Sequence, residues 1–190
     1  MSTFVSLLEV LESRGSPLDD DEVWAILLTS PNIHLLLFTV SPGPGNLCSI
    51  ISPGSILISP SGTVAFKTCG RTDNVAFFTS PEMTVAQSSS SKEAVEKVIY
   101  SLGMTLYWTV DYQLPQNQPV QLNENLNILL LSMCEEESCR RPNLLAVLQH
   151  CEQHQKNALL PPPDRIIRQL VQYVLHHPVS LLKLKFLENC

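Results

Sequence analysis

The chain has 190 residues, 44% of them hydrophobic and 16% charged, with a formal net charge of −6. Such a chain forms one ordered globular domain with a sizeable core, and the composition excludes a disordered tail. The negative balance argues against nucleic acid, whose binding rests on Lys and Arg neutralising phosphates. No apolar run reaches the ~18 residues of a transmembrane span, and the start, Met1 to Val10, lacks a basic signal region. The charge is uneven. Residues 1–66 carry six acids (Glu9, Glu12, Asp19, Asp20, Asp21, Glu22) against Arg14 alone, whereas the stretch from His150 onward is net basic.

Taken in chain order, the pattern predicts a first helix starting near Ser2 or Thr3, with Leu7, Leu8 and Leu11 on one face. Gly15-Ser16-Pro17 ends it. The acids of Ser16 to Glu22 then cap a second helix, Asp20 to about Thr29, because negative charge suits the positive end of the helix dipole. Its core side is Trp24, Leu27 and Leu28. Residues 33–40 read as a further apolar helix before the Ser41–Gly45 loop. Two short apolar runs, Ser55–Ser59 and Thr63–Phe66, are joined by Pro60-Ser61-Gly62 and predict a small hairpin. Residues 67–94 are loop-rich, including the Ser88–Ser91 tract.

A central buried helix follows, about Ala94 to Val110, apolar on all sides. After an irregular connection through Pro115 and Pro119, a helix from Asn123 to Met133 carries Leu126, Ile128, Leu129 and Leu130. Another runs from Pro142 or Asn143 to about Gln155 and presents Leu144, Leu145, Val147, Leu148 and Cys151 to the core. Pro161–Pro163 breaks the chain before a last helix, Asp164 to His176. Residues 1–177 make the domain; residues 178–190 are a tail or the start of a linker.

The six cysteines (Cys48, Cys69, Cys134, Cys139, Cys151, Cys190) are too sparse for a disulfide scaffold and read as reduced thiols. His150, Cys151 and His154 with Cys134 and Cys139 contain no Cys-x-x-Cys pair, so no metal site is expected. Nor is there a Cys-x5-Arg phosphatase loop or a Gly-x-Ser-x-Gly elbow.

Three motifs share one order and spacing. Ser80-Pro81-Glu82 precedes Val98-Ile-Tyr-Ser-Leu-Gly-Met-Thr-Leu-Tyr-Trp108, and Arg140-Arg141-Pro142 follows. Together they resemble the Ala-Pro-Glu motif, central helix and Arg-Pro of a protein-kinase C-lobe. With Val5–Gly15, Glu22–Leu27 and Met133-Cys-Glu-Glu-Glu137, the chain resembles the KIND domain (kinase non-catalytic C-lobe domain), nearest its FERM/PDZ branch, over residues 4–176. The resemblance implies a mainly α, kinase C-lobe-like fold with a small β-hairpin and no N-lobe. It also implies an ion pair between Glu82 and Arg141, a close helix approach at Gly103, and core anchoring by Trp24 and Trp108.

Ile51-Ser-Pro-Gly-Ser-Ile-Leu-Ile58 is similar to a kinase catalytic loop stripped of its chemistry. In that register the base position is Ile50, the phosphate-side Lys is Ser52 and the metal-binding Asn is Ser55. Asp-Phe-Gly falls on Thr68-Cys69-Gly70. Phosphoryl transfer needs those metal ligands, the Lys and the base, so the resemblance implies no enzyme activity, no ATP and no cofactor.

Spire-type relatives hold a basic formin segment in an acidic groove, and Asp111-Tyr112 matches them; the uncharged Gln113–Leu122 departs from them. A protein partner with a basic peptide segment is therefore expected, with Asp111, Tyr112, Glu124, Glu135, Glu136 and Glu137 as its candidate site. Glu135–Glu137 fits a solvated helix–helix loop as well. The alternative is an intramolecular scaffold or autoregulatory domain, supported by the apolar tail Pro178–Leu187. By resemblance, the setting is cytoplasmic, at the cytoskeleton or the inner face of the plasma membrane.

Overall fold

The computed structural model describes residues 4–29, 50–67, 75–84, 91–158 and 161–176. The expected helix at 33–40, the Thr68-Cys69-Gly70 position and the 178–190 tail lie outside the described residues. The chain opens with strand β1 (Val5–Ser6) and runs straight into helix α1 (Leu7–Arg14). Helix α1 therefore starts some four residues later than its periodicity predicts. The reason is local. Val5 and Ser6 pair antiparallel with Ile58 and Leu57, and Ser6 then caps the helix. Its hydroxyl accepts from the Glu9 N–H at 3.2 Å, while the Glu9 carboxylate accepts from the Ser6 N–H at 2.6 Å, a reciprocal capping box.

Helix α2 (Asp20–Leu28) begins the same way, with Asp19 as cap and Glu22 reaching back to the Asp19 N–H at 2.9 Å. Val23 to Leu27 are all buried. The hairpin consists of β2 (Ile56–Ile58) and β3 (Val64–Phe66), and β1 joins it to give a three-stranded antiparallel sheet in the order β1-β2-β3. At the turn Gly62 has φ 86°, and a Cβ there would lie 2.5 Å from the Asp164 carbonyl oxygen. Only glycine lets the turn sit this close to the last helix.

The central helix α3 (Ser91–Asp111) sends Val98, Ile99, Leu102, Leu106 and Val110 into the core. Helices α4 (Glu124–Met133), α5 (Leu144–Asn157) and α6 (Pro163–Leu175) complete a mainly α architecture of six α-helices among the described residues. Helix α4 packs on α3, and α2 packs on both α5 and α6.

Two apolar positions depart from expectation. Ile128 on α4 is 56% exposed and Leu145 on α5 is 64% exposed. At ~100° per residue, Ile128 falls opposite the inner face of Leu126, Leu129, Leu130 and Met133. Leu145 likewise falls opposite Val147 and Cys151, which are buried. A helix covered on one side has no core left for the other.

Candidate functional site

The loop of residues 50–55, expected by resemblance to stand where a kinase has its catalytic loop, is packed and internally hydrogen-bonded. The Ile51 N–H donates to Ser101 Oγ at 2.7 Å, and Ser101 and Thr105 hydroxyls on α3 donate to the Ile51 carbonyl at 3.0 and 2.7 Å. Ser55 Oγ accepts from the Ser52 N–H and donates to the Ser52 carbonyl. The Leu8 N–H at the start of α1 donates to Pro53. Ile50, expected at the position of a catalytic base, is buried in a small second cluster with Phe78. Buried hydroxyls committed to backbone partners serve structure. Adding ATP with magnesium is expected to leave the thermal midpoint unmoved; a rise that grows with ATP concentration would reveal a nucleotide site. Ser101 and Thr105, one turn apart on an otherwise apolar helix face, were the sequence signal for this brace.

A second structural centre is Arg141, whose side chain is fully buried. Both terminal nitrogens bond the Glu82 carboxylate, with Nη2 donating to Oε2 at 2.9 Å. Nε donates to the Glu135 carbonyl at 2.6 Å, Nη2 to Glu136 at 3.0 Å and Nη1 to Glu96 at 3.1 Å. Every N–H of the guanidinium is thus engaged, and the group also lies 4.7 Å from the centre of the Tyr100 ring. Burial pushes the Glu82 pKa up, but the bonds and charge of Arg141, together with hydrogen bonding from the Glu82 backbone and Ser80, outweigh it and hold the carboxyl below its ordinary value. Nearby, a Cβ on Gly103 would come within 2.7 Å of Met133 Cβ and 3.1 Å of Cys134 Sγ. Burial raises the Cys134 thiol to about 12, against the pull of Arg141.

The two tryptophans differ. Trp24 is buried and stacks on His154, with ring centres 4.3 Å apart and planes 12° from parallel. Trp108 is half-buried, edge-on to Phe78 at 6.1 Å and tilted against Tyr112 at 5.2 Å.

The six predicted binding residues fall in two places. Asp111 is exposed on the last turn of α3 and Glu124 on the first turn of α4, with Tyr112 half-buried beside them. The start of α2 joins this end. The Leu18 N–H donates to the Thr109 carbonyl at 3.1 Å, and the Asn123 N–H donates to Asp20 Oδ2 at 2.8 Å. Asp20 is thereby added to Asp111 and Glu124. Beside it, burial raises the Asp21 pKa and the charges of Asp19 and Asp20 raise it further, while His154 opposes them.

Glu135, Glu136 and Glu137 stand elsewhere, around Arg141 and Tyr100, about 16 Å down the axis of α3 from Asp111 at 1.5 Å per residue. The backbone carbonyls of Glu135 and Glu136 belong to the Arg141 knot, and the Glu137 carboxylate pairs with exposed Arg140 at 2.9 Å. The acids of α2 were read as helix-start residues, which they are; only the fold reveals that Asp20 also reaches the start of α4 through the Asn123 N–H.

Among the described residues no helix is long and apolar enough to cross a membrane, and no group of three or more His, Cys, Asp or Glu side chains could hold a metal ion. Cys151 faces the core and Cys139 is exposed.

Comparison with known proteins matches residues 5–158 to the family model of the kinase non-catalytic C-lobe domain. The chain is 43% identical over 175 residues to tyrosine-protein phosphatase non-receptor type 13 of Homo sapiens, covering 90% of this chain and 7% of that protein. It is 36% identical over 174 residues to FERM and PDZ domain-containing protein 2 of Mus musculus, again 90% of this chain and 12% of the relative. Kinase non-catalytic C-lobe domain-containing protein 1 of Homo sapiens is 29% identical over 149 residues, 78% of this chain and 8% of its own length. The chain therefore spans a small fraction of the curated relatives it matches.

Proposed function

Because the chain belongs to the kinase non-catalytic C-lobe domain family, we propose that it is a non-catalytic interaction module whose protein partner presents a basic peptide segment. The observation that supports this reading is the convergence of Asp20, Asp111 and Glu124, from three separate helices, at one exposed end of the molecule. Carboxylates gathered at one end of a molecule attract and orient a cationic segment, accelerating encounter more than they deepen affinity.

The test is capture of partners from cell lysate by wild type and by Asp111→Lys, at low and moderate salt. Surface attraction is screened over about 10 Å at 0.1 M salt. A basic partner that is lost in the variant and lost with salt supports the reading. A partner kept under both changes moves the interface to another surface.

One fact favours a second reading. Relatives that contain this unit are many times longer, the chain covering 7% of the phosphatase and 12% of the FERM and PDZ protein. The partner segment is then another part of the same polypeptide, and the module acts as an intramolecular scaffold. Placement in the cytoplasm, at the cytoskeleton or the inner face of the plasma membrane, belongs to this proposal and rests on the FERM and PDZ domains named for that relative.

A further inference from the structure

The sequence holds six Ser-Pro dipeptides, beginning at Ser16, Ser30, Ser41, Ser52, Ser59 and Ser80. Ser30 and Ser41 lie outside the described residues. Of the other four, Ser52, Ser59 and Ser80 are buried, at 8%, 0% and 1% exposure, and Ser16 alone is half-buried. It stands with Pro17 in the loop between α1 and α2, between exposed Gly15 and exposed Asp19. An arginine is already turned to its hydroxyl. Arg14 Nε donates to Ser16 Oγ at 2.8 Å, while Arg14 Nη1 bonds both oxygens of the Glu22 carboxylate at 2.6 Å. The same guanidinium lies 5.4 Å from the centre of the Tyr173 ring. A guanidinium is a rigid plane in which the Nε–H and one N–H of Nη2 point the same way. The edge that faces Ser16 is therefore a two-donor edge, and the nitrogen spent on Glu22 is not part of it. The neighbouring acids are engaged as well, since Asp19 accepts from the Glu22 N–H and Glu22 from the Asp19 N–H, each at 2.9 Å.

We propose that Ser16 is a phosphorylation site for a separate, proline-directed protein kinase, with Arg14 as the built-in receiver of the phosphate. Pro17 fixes φ at about −65° and offers no N–H, the local shape on which such kinases depend. Helix α1 has eight residues, too few to be stable alone, so its last turn loosens at low cost to admit the kinase. In the transfer, Ser16 Oγ bonds to the γ-phosphorus of ATP as the bond to the ADP oxygen breaks. The hydroxyl proton passes to the kinase's own base, and ADP leaves. The product carries a charge of about −1.5 to −2 and three strong acceptor oxygens. Phosphate opposite an arginine edge makes paired, charge-assisted hydrogen bonds, where the serine hydroxyl offers a single acceptor atom. The modification thus ties the loop to the end of α1 and, through Arg14, to Glu22 on α2 and Tyr173 on α6. Ser52, Ser59 and Ser80 cannot take the group in the folded chain, because a dianion would be stranded in the core. The site stands independently of the basic-peptide reading above.

The test treats the full folded chain with an active mitogen-activated protein kinase, ATP and magnesium, and maps phosphate by fragmentation mass spectrometry. A synthetic peptide of residues 10–22 serves as the unfolded comparison. Phosphate should appear on Ser16 of the chain and on none of Ser52, Ser59 and Ser80, and Ser16→Ala should lose it. The receiving side is read in the wild type, without a variant. On phosphorylation the Arg14 Nε–H resonance should move downfield, and its exchange with water should slow. Phosphate on the peptide but not on the folded chain overturns the proposal, because the loop is then closed to the kinase. Phosphate on neither overturns it too, since the motif is then no substrate. Equal phosphate on Ser16 and on the buried serines overturns the claim that exposure and Arg14 single Ser16 out. Phosphate on Ser16 with an unmoved Arg14 resonance removes the receiver and overturns the proposal as well.

Discussion

Replacing Arg141 with Ala is expected to lower the thermal midpoint by roughly 6–20 °C. The estimate combines about 3–5 kcal/mol for breaking a buried ion pair with about 2–4 °C per kcal/mol in a chain of this size. The guanidinium is fully buried and Glu82 keeps only part of its exposure, so removing the cation strands a carboxylate and orphans the carbonyls of Glu96, Glu135 and Glu136 at once. Scanning calorimetry of the variant is the check, and an unchanged midpoint would sink the assignment. The pair also dictates a pH dependence. The Glu82 carboxyl is held below its ordinary value, so its contribution is complete above that value. It drains away as the pH falls through the ordinary carboxylate range toward the lower folded one. Glu82→Gln should flatten this acid limb in denaturant titrations at stepped pH.

Gly103→Ala is expected to destabilise the fold by about 1–3 kcal/mol, the usual cost of overpacking a filled site. The sign is informative, because Ala is favoured over Gly in a helix by about 1 kcal/mol and would stabilise an open position. Here the added methyl would lie 2.7 Å from Met133 Cβ, an atom fixed to the backbone of α4 with no rotamer to escape into. The two helices would have to separate, and Gly103→Leu should cost more than Gly103→Ala. Urea denaturation distinguishes the cases: a gain in stability for the Ala variant would mean that α3 and α4 are not in this contact.

Much of this fold was legible because its helices announce their own ends. Asp19 with Glu22 marks the start of α2, Asn143 caps α5 through the Ala146 N–H, and Pro163 opens α6. The hairpin was legible from Pro60-Ser61-Gly62. Strand β1 was not. Two residues carry no periodicity, and its partner, Ile58, lies some fifty positions away. The exposure of Ile128 and Leu145 was hidden for a related reason, since apolar content says a helix wants a core but not which side has one. At the candidate site, residue types were readable and proximity was not. Nothing in the spacing of Asp20, Asp111 and Glu124 puts them at one end, and nothing in Glu135–Glu137 announces that their backbone is claimed by Arg141.

Ser6 is at once the last residue of β1 and the cap of α1, and this double role works as a registration pin. In an edge strand a slip of one residue turns every side chain to the opposite face. In most sheets that error costs only the misplaced side chain. Here it would swing Val5, 1% exposed, out of the core and, in the same movement, pull the Ser6 hydroxyl away from the Glu9 N–H and the Glu9 carboxylate away from the Ser6 N–H. A strand of two residues is too short to specify its own alignment. By borrowing that of the helix it enters, the polypeptide makes a weak pairing unambiguous: slippage at one element is vetoed by the geometry of the next.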